Sequence, residues 1–116
     1  MGQLSIVNPN EPIYADEHLS VDLVNRSVTL VAHKVQLTRK EYELLALMIR
    51  HAGKIIPRDA LLKEVWNYGP DPRTRTLDVH MLRLRKKLGL YADRRIETIF
   101  GVGYRFVPLP QLPLFA

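Results

Sequence analysis

The chain has 116 residues, of which 47% are hydrophobic and 25% charged, and it has no cysteine. That length supports one domain with a core of its own, and the missing cysteines exclude disulfides and thiolate chemistry. The formal charge of +5 and a pI near 9.7 point to a polyanionic partner, either nucleic acid or an anionic membrane surface.

No apolar run approaches the ~18 residues that a membrane-spanning helix needs. The N-terminus has no basic segment followed by an apolar stretch, so it does not read as a secretory signal. Ile6 stands where a myristoylation pattern needs Ser or Thr. The expected location is the cytoplasm.

Residues 1–12 read as a loose leader, 13–107 as the domain, and the apolar, Pro-rich stretch 108–116 as a tail. From Ile13 to Leu37 the pattern alternates with period two. Leu19, Val21 and Leu23 face one way, Asn25-Arg26 makes a turn, and Val28, Leu30, Val35 and Leu37 resume the apolar face. This predicts a small antiparallel sheet with one buried face.

The period then changes. Thr38-Arg39-Lys40-Glu41 has the spacing of a capping box. Behind it Tyr42, Leu45, Met48 and Ile49 recur at helical spacing, with Leu44 on the flank and Gly53 as a stop. A second helix is expected from Pro57, a residue suited to a first helical position, with Leu61, Leu62, Val65 and Trp66 inward. Asn67-Tyr68-Gly69-Pro70 is a turn, and Asp71-Pro72 reads as the cap and first turn of a third helix ending near Gly89. Ile96–Phe100 and Tyr104–Val107 flank Gly101-Val102-Gly103, which predicts a β-hairpin.

Between Arg73 and Arg95 lie eight of the seventeen Lys/Arg residues and only two acids, Asp78 and Asp93. This segment therefore accounts for the whole positive excess of the chain. In its helix Leu77, Met81, Leu84 and Leu88 share one narrow face. At ~100° per residue, Arg75, Val79, Leu82, Arg83 and Lys86 lie opposite. Thr76 and His80 fall to one side, Asp78 and Arg85 to the other. A solvated face is the plain alternative, but such a face usually mixes signs and does not turn Val79 and Leu82 outward. A groove wall or a thymine methyl would accept both, and a B-DNA major groove admits one helix. Lys86 and Lys87, in the last turn, also complement the helix dipole.

Other constellations are weaker. No helix follows Gly101-Val102-Gly103, so it reads as a hairpin turn and not a phosphate loop. The four histidines have no metal-ligand spacing, no nucleophile has an attendant base, and no cofactor is implied. An enzyme is not expected.

With these elements in place, the chain resembles the C-terminal effector domain of OmpR/PhoB-type response regulators. The matching runs are LTRKEYELLALM (Leu37 to Met48), RDALLKEVW (Arg58 to Trp66), RTLDVHMLRLRKKL (Arg75 to Leu88) and IETIFGVGYRF (Ile96 to Phe106). The resemblance implies an α+β winged helix-turn-helix: an N-terminal antiparallel four-stranded sheet, three helices and a C-terminal β-hairpin wing. It implies sequence-specific binding of double-stranded DNA for transcription regulation, with the helix at about 72–88 in the major groove and hairpin 96–107 as the wing.

Carried over residue by residue, it makes Arg75, Thr76, Val79, His80, Arg83, Arg85 and Lys86 the groove and flanking contacts. Arg58 and Trp66 match phosphate-contact positions, and Thr98, Tyr104 and Arg105 match DNA-backbone positions in the wing. Asn67, Tyr68, Gly69, Pro70 and Asp71 match a transactivation loop (67–73) that touches RNA polymerase in activators. The family usually binds direct repeats as head-to-tail pairs, so a monomer is expected when free. A phosphorelay receiver domain has no room in 116 residues, so a separated effector domain is expected, with a stand-alone protein of the same fold as the alternative. Two positions depart from the pattern. Phe100 stands where an Arg often enters the minor groove, and is expected to pack on the body or on a neighbouring protomer. Leu82 replaces a frequent basic residue, so base preference should differ.

Overall fold

The computed structural model describes residues 12–22, 24–67 and 74–109. They fall into two compact units, one within residues 1–36 and 109–116, the other spanning 37–108.

The first unit is a four-stranded antiparallel sheet of β1 (Pro12–Ala15), β2 (Leu19–Asp22), β3 (Ser27–Leu30) and β4 (His33–Val35), in sequential order. Leu19, Val21 and Val28 are buried, as the alternation requires. Acidic side chains build two of the turns. The Asp16 carboxylate accepts from the His18 and Leu19 N–H groups, and Asp22 accepts from those of Val24 and Asn25. The β3–β4 turn instead places Val31 and Ala32 at φ of 50° and 67°. Pro12, read above as leader, opens β1, whereas residues 1–11, Leu23 and tail residues 110–116 lie outside the described residues. The Leu109 N–H donates to the Tyr14 hydroxyl at 3.3 Å.

The second unit holds four described helices and a three-stranded sheet. Helix α1 (Arg39–Arg50) starts with the expected capping box. Thr38 Oγ1 accepts from the Glu41 N–H at 3.2 Å, and Glu41 Oε1 accepts from the Thr38 N–H at 3.0 Å. The helix is more enclosed than its apolar stripe suggests, because every residue from Leu44 to Ile49 is buried. Helix α2 (Arg58–Trp66) buries Leu61, Leu62 and Val65. Helix α3 (Thr76–Leu88) buries Leu77, Met81, Leu84 and Leu88, and packs on both α1 and α2.

Three expectations are corrected here. Pro57 is not the first residue of α2 but its N-cap, with extended backbone at ψ 150°. It cannot cap with a side chain, and the Arg58 N–H is satisfied at 3.0 Å by the Val102 carbonyl instead. The third helix begins at Thr76, not at residue 72, because Arg75 sits outside helical geometry at φ −110°, ψ 9°. A fourth helix, α4 (Leu90–Arg95), replaces the open link to the hairpin. The expected hairpin stands, and a third strand extends it. Strands β6 (Ile96–Ile99) and β7 (Gly103–Phe106) are joined by β5 (Ile55–Pro57) in the order β5-β7-β6. Gly103 makes that join possible, since a Cβ there would lie 1.9 Å from the Ile56 carbonyl oxygen.

Candidate nucleic-acid interface

Helix α3 separates its side chains as the spacing predicts. Its four inward residues are at most 1% exposed, while Val79 is 40% and Leu82 66% exposed. Arg75, Arg83 and Lys86 are also exposed, and Arg83 and Lys86 make no hydrogen bond or ion pair with another described residue. The outward face is therefore a strip of exposed cations around an apolar pair.

The lateral residues of α3 hold its surroundings in place. On one side, Asp78 Oδ1 accepts from Arg58 Nη1 at 2.5 Å and from the Tyr104 hydroxyl at 3.1 Å. This joins the starts of α2 and α3 to β7. The Arg58 hydrogen bond is the main reason the Asp78 carboxyl lies below its ordinary range. Burial, then the Asp78 charge, pushes the Tyr104 hydroxyl up, so it stays protonated and donates. Further along the same side, Arg85 Nη2 donates to Thr98 Oγ1 at 2.7 Å and to the Ile96 carbonyl at 3.0 Å. Its guanidinium carbon stands 5.5 Å from the Tyr104 ring centroid.

On the other side, His80 Nδ1 lies 2.9 Å from the Thr76 carbonyl oxygen, an acceptor, so Nδ1 carries the proton. The imidazole meets the Trp66 ring edge to face, with centroids 4.9 Å apart and planes at 69°. Trp66 is half-buried, closing the end of α2 against α3. Below the helix, Lys87 Nζ reaches Glu41 Oε1 at 2.6 Å, so this cation is spent inside the fold. The wing carries its own ion pair, Arg105 Nη2 to Glu97 Oε1 at 2.6 Å. At its tip Phe100 is 90% exposed, which excludes the expected packing on the body.

A family model described as "Transcriptional regulatory protein, C terminal" matches residues 32–106. The chain belongs to this family. Among its relatives, the transcriptional regulatory protein ResD of Bacillus subtilis is 42% identical over 110 residues, which are 90% of this chain and 46% of ResD. The chain thus spans about half the length of the curated relatives it matches. The DNA-binding domain of Klebsiella pneumoniae RstA, solved in complex with the RstA box, superposes with a TM-score of 0.77 at 38% identity. It covers 83% of this chain and 97% of that one. The DNA-binding domain of Escherichia coli CpxR gives 0.75 at 26% identity, over 84% and 97%. The fold of this family member is accordingly the winged helix-turn-helix, with a four-stranded antiparallel sheet ahead of the helices.

Within this family member, the sequence-derived candidates separate into two groups. Arg75, Val79, Arg83 and Lys86 share the open face. Arg58, Arg85, Thr98 and Tyr104 are instead linked to one another through Asp78 and β6. Asp78 is not among those candidates, although it is the one acid between Arg75 and Leu88. Asn67 ends α2 in a left-handed conformation at φ 60°. Tyr68, Gly69, Pro70 and Asp71 of the expected transactivation loop lie outside the described residues. Among the described residues no helix is long and apolar enough to cross a membrane, and no His/Cys/Asp/Glu group is placed to hold a metal ion.

Proposed function

We propose that this domain binds double-stranded DNA sequence-specifically and regulates transcription, as the output half of a longer cytoplasmic response regulator. The observation that carries this reading is the outward face of α3, where Arg75, Arg83 and Lys86 surround Val79 and Leu82 over a fully buried back. A helix of this width enters the major groove, where arginine pairs bidentately with guanine and lysine meets phosphate. The half-buried or internally bonded residues Arg58, Trp66, His80, Arg85, Thr98 and Tyr104 then border the groove and fix the helix relative to the wing. Their remaining donor capacity serves phosphates, which set register and not sequence. The RstA DNA-binding domain, 38% identical and solved in complex with the RstA box, supports DNA binding here.

The family's habits extend the proposal. Two copies bind direct repeats head to tail, a free domain is monomeric, and loop 67–73 contacts RNA polymerase in an activator. A receiver domain in the longer protein supplies the phosphorelay switch, consistent with the share of ResD left unmatched.

A selection from random duplex oligonucleotides tests the central claim. One enriched motif, bound with an affinity that falls steeply with salt, is expected. Recovery of unrelated sequences, or a preference for A-form RNA duplex, would remove the major-groove reading.

A further inference from the structure

We propose that Leu82 is a specificity-determining residue that reads the C5-methyl group of thymine, with Val79 completing the apolar contact; this rests on the DNA-binding reading above. Leu82 is the midpoint of the thirteen-residue helix α3 and is 66% exposed. The core takes nothing from it, because Leu77, Met81, Leu84 and Leu88 already fill the inward face. Val79 lies three residues earlier, on the adjoining strip of the helix surface, so the two side chains form one patch and not two scattered ones.

Charge selects the occupant of this patch. Arg83 follows Leu82 directly, Lys86 lies one turn on, and both are exposed without a partner among the described residues. A protein partner with an apolar surface would have to bury those cations unpaired, at a large desolvation penalty. Duplex DNA offers the opposite combination, with phosphates for the cations and apolar groups between them. The apolar feature that distinguishes one base edge from another in the major groove is the thymine methyl. The side chain at the centre of a groove-bound helix is well placed to meet it. A basic residue at this position would favour guanine, so Leu82 redirects preference toward A·T pairs.

The test uses the duplex obtained by selection with the wild-type domain. Each thymine is replaced in turn by deoxyuridine, which removes the methyl and nothing else. At one or two positions wild type should bind the deoxyuridine duplex about fourfold more weakly, the effect of withdrawing one buried methyl. Leu82→Ala should bind both duplexes equally at those positions. Exposure of Leu82 makes this variant safe for folding, and circular dichroism verifies it. Equal wild-type binding of every deoxyuridine duplex would overturn the proposal, as would a full deoxyuridine penalty retained in Leu82→Ala. Failure to select any sequence would instead overturn the DNA-binding reading, and the methyl contact with it.

Discussion

The Arg85 guanidinium donates to the Thr98 hydroxyl at 2.7 Å, so α3 is bolted to the first strand of the wing. A cation committed in this way stabilises the domain more than it attracts DNA. Arg85→Ala is expected to destabilise by about 1–2 kcal/mol. The thermal midpoint should fall by roughly 5–10 °C. Its DNA affinity should fall through lost orientation, with the slope of log K against log salt nearly unchanged. A slope reduced by a full phosphate contact, at unchanged stability, would return Arg85 to the DNA-facing set.

Arg83 and Lys86 are predicted to behave differently from Arg85 and from each other. Both are exposed, and neither makes a hydrogen bond or ion pair with another described residue. Arg83→Ala should weaken binding to the selected duplex by ~1–3 kcal/mol and broaden the selected motif. Lys86→Ala should weaken all sequences alike and reduce the salt slope by about one. Quantitative gel shifts at several salt concentrations, on selected and scrambled duplexes, separate the two patterns. Unchanged affinity and motif for Arg83→Ala would place a different helix face in the groove.

What was legible in the sequence was local. The Thr38–Glu41 box and the Leu77/Met81/Leu84/Leu88 face each complete their pattern within a few turns, and both stand in the structure. Strand β5 could not be read, since it has three residues and takes its meaning from Ile56 pairing with Tyr104. Nor could the start of α3, because Pro72 suits a first turn on propensity alone, yet the first helical bond runs from Val79 N–H to the Arg75 carbonyl. Helix α4 buries only Ala92, so no apolar period announces it. Nor does local sequence show which arginines the fold engages. The Arg58–Asp78 and Arg85–Thr98 partners are 20 and 13 residues apart, and charge counts do not show which cations the fold consumes.

Glu41 provides a pH test of the helical core. Its side chain is 1% exposed, which pushes the carboxyl up, but Lys87 and the Thr38 N–H outweigh burial and hold it below the ordinary 4.5. A depressed folded-state value means stability that is fully present above the unfolded value and is lost as pH falls through the folded one. Urea denaturation should therefore show wild type well above Glu41→Gln at neutral pH, with the gap closing as pH falls through the depressed folded-state value. A gap independent of pH would mean that the carboxylate charge does not stabilise the fold.

The β3–β4 turn carries avoidable strain. Its two central residues, Val31 and Ala32, have φ of 50° and 67°, the signature of a turn that prefers Asn-Gly. A left-handed conformation costs an L-residue about 1–2 kcal/mol, and a β-branched side chain suits it least. Val31→Asn combined with Ala32→Gly should raise stability by about 1 kcal/mol after the added glycine entropy. DNA affinity should not change. A lower denaturation midpoint in the double variant would show that Val31, though 63% exposed, makes a contact worth more than the strain.

Phe100 puts an apolar ring at the point of the wing, 90% exposed. The hairpin is held beside the helices by the Val102 carbonyl, which accepts from the Arg58 N–H. A charge at the tip would therefore reach the DNA flanking the α3 site without disturbing the fold. Phe100→Arg is predicted to tighten binding at low salt and to steepen the salt slope by about 0.9 for one added phosphate contact. It should leave the motif read by α3 unchanged, because phosphate contacts position and do not specify. If affinity instead falls and the slope stays flat, the phenyl ring itself contacts the duplex. A deletion back to Phe100→Ala would then lose affinity to the same extent. Comparing the two variants across a salt series decides whether this wing works by charge or by apolar contact.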